Sequence, residues 1–274
     1  MLKVIAITNP KGGVGKTTTA INLAASLAIA EKQVLVIDLD PADAVAQGLG
    51  IRPADLDFGA FEILSGSANL MEAARPSSIA RLDVIPARVG DSEREVRFNE
   101  VAKNRVRLSR QIDVLRSTNR LPYDYILIDT PPSLNDLTFN ALLAADSVLV
   151  PLQAGQYAFN AVRRLMQMLV RLRKSANPGL DVEGVVLNFY EKGTRVSDRA
   201  LFQARKVFRS YLFDTVIPKN TAIGYAAFEA KPVAMMDIKS SGAQAYLALA
   251  EEIITRNEKH LLSSQPGPLK LTPA

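Results

Sequence analysis

The segment Lys11-Gly12-Gly13-Val14-Gly15-Lys16-Thr17-Thr18 carries residue types suited to one chemistry, the binding of a triphosphate. Gly12, Gly13 and Gly15 let backbone N–H groups turn inward around phosphate oxygens, where a Cβ would obstruct. Lys16 brings a point charge to the β and γ phosphates, and the Thr17 hydroxyl is placed to coordinate Mg²⁺. An apolar run at 4–8 precedes the loop and a helical pattern begins within it, so a helix N-terminus adds a dipole that favours an anion. A glycine turn that merely starts a helix needs neither this lysine nor this threonine. Asp38-Leu39-Asp40-Pro41 adds two carboxylates at i and i+2 of a strand end, where they face the same side. Asp129 closes the apolar run 125–129 before Thr130-Pro131-Pro132, a Walker B pattern whose acid would hold the water shell of Mg²⁺.

These groups need a scaffold that gathers the ends of separate strands. Apolar, β-branched runs predict strands at 3–8, 33–38, 82–86, 125–129, 147–151, 182–188 and 213–217. Helical patterns predict helices at 16–30, 96–118, 137–145, 158–175, 198–210 and 243–260. The near-continuous apolar character of the strands suits a parallel sheet buried on both faces. The alternation predicts an α/β fold with a single doubly wound, mostly parallel sheet flanked by helices. In such sheets ligands bind beyond the carboxyl ends of the strands, so Asp38 and Asp40 would overlook the phosphate loop. One domain over 1–262 is expected, followed by a Pro- and Ser-rich tail at 263–274 that frays.

The 274 residues contain no cysteine and one histidine, His260, which excludes disulfides and argues against zinc clusters or histidine catalysis. No apolar run long enough to span a bilayer occurs, and the N-terminus lacks a signal-peptide pattern, so a soluble cytoplasmic protein is expected. The net charge of +5 permits contact with a polyanion without requiring it.

The phosphate loop departs from the standard pattern, because Pro10 holds the place of the first glycine and Lys11 follows as an extra lysine. The loop resembles the deviant Walker A type of P-loop NTPase found in the ParA/MinD family. The resemblance runs from Lys3 to about Ile254 and includes residues 137–142, Ala145-Asp146-Ser147, Lys231-Pro232 and 241–246. Within the family it is to the small ParA/Soj type, which segregates plasmids or chromosomes.

The resemblance implies an ATPase with ATP and Mg²⁺ as cofactors. It makes Lys11 a residue that reaches the partner's nucleotide across a dimer interface; spacing alone leaves a solvated loop lysine equally open. It makes Asp40 the residue that positions or activates the attacking water, sets Asp38 near the Mg²⁺ shell, and makes 130–132 the sensor of the γ-phosphate. Asn188 is expected to read the adenine edge, since an amide donates and accepts together, and Pro218 to cover the ring. The family continues Asp-Pro-Gln-Gly-Asn where this chain reads Asp40-Pro41-Ala42-Asp43-Ala44, and Asp43 is left open as a surface replacement or a new acidic contact.

ParA-type dimers bind DNA non-specifically when loaded with ATP. Candidate phosphate contacts here are Arg195, Arg199, Arg205, Lys206, Arg209 and Lys219. Two other basic stretches, at 97–110 and 163–174, read as solvated helix faces unless something favours more. Pro266 and Pro268 interrupt any membrane-binding terminal helix, so no membrane contact is expected. The resemblance further implies an ATP-bound homodimer, nucleoid association and a ParB-like centromere-binding or adaptor protein as activator. Positioning of a protein cargo, and an ATP-dependent ligation enzyme on the same fold, are the rival readings.

Overall fold

The structure is a computed structural model and describes residues 2–52, 55–118, 122–154 and 156–263. The expected tail lies outside the described residues from 264 onward. The strands are β1 (Lys3–Ile7), β2 (Val34–Asp38), β3 (Arg75–Pro76), β4 (Leu82–Ile85), β5 (Tyr125–Asp129), β6 (Ser147–Gln153), β7 (Asp181–Tyr190) and β8 (Leu212–Pro218). They form one sheet in the order β3-β4-β2-β5-β1-β6-β7-β8, parallel except for the two-residue pairing of β3 with β4. The expected fold class is the observed one. β1 sits between β5 and β6, and the winding reverses at it, so the loops after β1 and its neighbours open a crevice at the carboxyl edge.

The period-two alternation of the strands divides the core into two layers. Val4, Ala6, Leu35, Ile37, Ile126 and Ile128 face one layer. That layer is closed by helices including α3 (Ala60–Ser65), α5 (Ser92–Ala102), α6 (Arg107–Arg116), α7 (Asp136–Ala144) and α8 (Gln156–Ser175). Ile5, Ile7, Val34, Val36 and Leu127 face the other, under α1 (Lys16–Ile29) and α12 (Ser241–Ser263). The remaining helices are α2 (Ala44–Gly48), α4 (Leu70–Ala73), α9 (Arg195–Phe208), α10 (Thr221–Phe228) and α11 (Val233–Met236). No helix among the described residues is long and apolar enough to cross a membrane.

The structure corrects the expected continuous helix at 96–118, which is broken between α5 and α6. Asn140 on α7 lies fully buried at the break. Its Nδ2 donates to the Ala102 carbonyl at 2.8 Å and its Oδ1 accepts from Leu108 N at 3.4 Å, so one amide closes both helix ends. The short β3 and the short helices carry too few residues for a periodic signal. We expect Asn140→Ala to cost about 2–3 kcal/mol, because a buried carbonyl and N–H lose their partner. An unchanged urea midpoint would show that the break does not depend on this side chain.

Candidate functional site

The phosphate loop leaves β1 and turns into α1 through glycines held where other residues would be strained. Gly13 and Gly15 have φ of +72° and +87°. A Cβ on Gly15 would come within 2.8 Å of Asn188 Nδ2. α1 has no side-chain N-cap and no acid in its first turn. Its leading amides are therefore left for an external anion. Asn9 steadies the entrance, donating to the Pro151 carbonyl at 2.8 Å and accepting from Lys11 N at 2.9 Å.

Lys16 is buried and forms no ion pair among the described residues. Burial pushes its ammonium pKa down, against the charges of Asp129 and Asp40. A buried cation without a carboxylate partner is a standing demand for an anion. Thr17 Oγ1 donates to Asp129 Oδ2 at 2.6 Å. Asp129 Oδ1 is buried without a hydrogen-bond partner, as are Thr8 Oγ1 and Asn188 Oδ1 around the same loop. No group of three metal-ligating side chains occurs among the described residues. The hydroxyl and the open carboxylate oxygen fit Mg²⁺, which takes few protein ligands and shares the rest with water and phosphate.

Asp38 and Asp129 are paired in register at the ends of adjacent strands, both fully buried. Burial pushes Asp129 up to about 7, against the Thr17 hydrogen bond and the Lys16 charge. Asp38 moves well up as well, from burial first and the neighbouring Asp129 second. Asp38 Oδ1 accepts from Asp40 N at 2.8 Å and Oδ2 from Val45 N at 3.0 Å, so it fixes the turn that carries Asp40. The Asp40 carboxylate accepts from Ala42 N at 3.1 Å, and its charge reaches both Lys16 and Asp129.

Asn188 lies beneath the loop, donating to the Val14 carbonyl at 2.9 Å and to Thr19 Oγ1 at 3.2 Å. Its amide thus supports the loop, a role that the expectation of base reading did not include. Pro218 ends β8 next to Tyr190. A cavity of about 420 Å³ opens beside them, lined by Gln153, Phe189, Glu191, Thr194, Ser197 and Lys219. Phe189 adopts φ +56°, which costs a non-glycine residue about 1–2 kcal/mol, and its ring edge would lie 3.5 Å from a Cβ on Gly15. Sequence reasoning missed Phe189 and Gln153; their places directly after Asn188 and at the end of β6 were the available signal. Lys11 Nζ donates to Gln153 Oε1 at 3.3 Å and forms no ion pair among the described residues.

The basic candidates divide by their partners. Arg195, Arg199, Arg205 and Lys206 lie exposed on α9, and Arg209 just beyond it, without ion pairs among the described residues. Lys219 is exposed but paired with Glu191 at 2.6 Å. In the 97–110 stretch Arg97, Lys103 and Arg105 pair with Glu93, Glu100 and Asp136.

The buried acids yield a pH prediction. A carboxylate whose folded pKa lies above its unfolded value makes the folded chain hold more protons, so stability falls as pH rises. Nucleotide-free protein is expected to lose stability between about pH 4 and 7, and Asp129→Asn to flatten that loss. Urea titrations in which the variant declines as steeply as the parent would remove Asp129 as the source.

A protein-family model described as an AAA domain matches residues 2–182. The chromosome partitioning protein ParA of Caulobacter vibrioides is 42% identical over 255 residues, covering 93% of this chain and 95% of that protein. The sporulation initiation inhibitor protein Soj of Bacillus subtilis is 39% identical over 253 residues, covering 92% and 98%. Among solved structures, cobyrinic acid a,c-diamide synthase of Mycobacterium smegmatis with a bound ATP analogue and magnesium superposes with a TM-score of 0.78. The identity there is 26%, with 98% of this chain and 99% of that one covered. Near-complete coverage at this identity, on a sheet that gathers Lys16, Thr17, Asp38 and Asp129 at one edge, means that the chain belongs to the ParA/Soj family of partition ATPases.

Proposed function

We propose that this ATPase is a dimerising switch that binds ATP with Mg²⁺, holds DNA non-specifically in that state, and releases it on slow, partner-stimulated hydrolysis. The observation that carries the reading is the buried, unpaired Lys16 beneath uncapped amides, beside a Thr17–Asp129 pair with one carboxylate oxygen unpartnered. Gly12, Gly13, Val14 and Gly15 would wrap the phosphates, with the amides of Lys16, Thr17 and Thr18 completing the cradle. Thr17 and Asp129 would hold Mg²⁺, with Asp38 behind its water shell; when bound, the ion neutralises charge on the β and γ phosphates. Lys16 grips the γ-phosphate and Asp40 orients the attacking water. That water's oxygen joins phosphorus as the bond to the β-phosphate oxygen breaks. Lys11, whose only hydrogen-bonded side-chain partner among the described residues is neutral, would complete the partner's site as an arginine finger does. Asn188 Oδ1 and Pro218 would meet the adenine.

The unpaired arginines of α9 favour DNA as the polyanion, with Lys219 recruited once its pair with Glu191 opens. A cytoplasmic, nucleoid-associated homodimer with a ParB-like or adaptor activator follows. Identity of 42% to the partitioning protein outweighs 26% to the synthase, so a ligation reaction ranks lower. Positioning of a protein cargo is the second reading. It is favoured by α10, where Tyr225 and Phe228 stand exposed as a surface that a protein could cover.

Lys16→Ala is expected to abolish ATP binding in calorimetry. Asp40→Ala should trap an ATP dimer on DNA; a variant that binds ATP yet stays monomeric and off DNA would overturn the cycle. In co-sedimentation with ATP, ADP or no nucleotide at two salt concentrations, only the ATP form should pellet with DNA. Arg195→Ala and Arg199→Ala should each lower the salt slope by about one.

A further inference from the structure

We infer that Asp43 is a positioning residue for hydrolysis, clamping the turn that carries Asp40 to the loop after β4. The inference rests on the reading of Asp40 as the residue that orients water. Asp43 occupies the place where the family pattern has glycine, and its backbone is left-handed there, with φ of 53°. A tolerated but uncommon conformation is thus retained with a side chain present. That side chain is neither solvated nor a surface replacement: the residue is 5% exposed. Its Oδ1 accepts from Arg88 N at 2.8 Å and its Oδ2 from Val89 N at 3.0 Å. Both lone oxygens are therefore engaged on a segment more than forty positions away in sequence.

The loop that Asp43 grips is itself braced. Arg88 Nε donates to the Leu56 carbonyl at 2.6 Å and its guanidinium pairs with Glu62 at 2.8 Å. Arg94 Nε donates to the Arg88 carbonyl at 2.7 Å, pairs with the same Glu62 oxygen, and lies 4.2 Å above the Phe61 ring. The other Glu62 oxygen accepts from Gly59 N at 2.9 Å. α3 and the start of α5 thus form a rigid abutment for Asp43.

On its other side Asp43 N donates to the Asp40 carbonyl at 3.0 Å. Asp38 holds Asp40 N and Val45 N. The backbone of Asp40 is therefore fixed from two directions, by a carboxylate inside the site and by one anchored outside it. Displacing a catalytic group by an ångström or less is enough to slow a reaction severely. The phosphate loop makes no part of this clamp, so triphosphate binding and hydrolysis should separate when it is cut.

The test uses the full chain with Asp43→Gly, Asp43→Asn and Asp40→Asn, each checked for native near-ultraviolet circular dichroism. Glycine accepts the left-handed backbone but offers no oxygen; asparagine tolerates it and keeps one acceptor. Single-turnover ATP hydrolysis should fall by about 10- to 100-fold in Asp43→Gly and by less in Asp43→Asn, while ATP affinity by calorimetry stays within about threefold of the parent. Hydrolysis at the parental rate in Asp43→Gly, with Asp40→Asn inactive, would overturn the clamp alone. So would ATP affinity that falls in step with the rate. Parental hydrolysis in Asp40→Asn would remove the role of Asp40, and the inference with it.

Discussion

Two carboxylates, Asp38 and Asp129, end adjacent parallel strands in register and in full burial, and neither can be ionised there at low cost. The surrounding site can be derived from that difficulty. Lys16 must stand near enough to offset one charge but cannot neutralise it, because it forms no direct pair. Thr17 must donate to Asp129, and the amides of Asp40 and Val45 to Asp38. The arrangement remains unbalanced until a cation and an anion arrive together. A metal–triphosphate complex has that combination of charges.

The support beneath the loop, from Asn188 and Phe189, rests on close packing more than on charge. Asn188 can sit under Val14 and Thr19 because Gly15 has no Cβ, so the glycine required by the phosphate also makes room for the amide that props the loop. Phe189 follows in a left-handed conformation that turns its ring toward the same glycine. Strain of this kind persists where surrounding contacts determine the backbone.

The sheet and the phosphate loop were legible in the residues because both depend on local pattern. Buried parallel strands read as apolar runs, and the loop's glycines, lysine and threonine stand at fixed offsets from one another. Asp38, Asp40 and Asp129 followed from strand ends. What local pattern could not convey were partnerships across sequence: Asp43 with the 88–89 amides, Lys11 with Gln153, Lys219 with Glu191. Asp43 stays open between a surface replacement and a new contact on sequence alone, because nothing near it in sequence shows the donors that bury it. The charges at 97–110 looked alike on paper, but acids on the same helix and on α7 neutralise several of them.

The break between α5 and α6 has a consequence for how the chain matures. Its local sequence favours one uninterrupted helix, and the side chain that divides it arrives thirty-two to thirty-eight positions later. The contacts that divide it are therefore available only once α7 is in place. β1 faces a similar delay, since its neighbours β5 and β6 are the later strands. The central strand of the sheet and the break between α5 and α6 thus both depend on contacts distant along the chain, the kind that is slow to assemble.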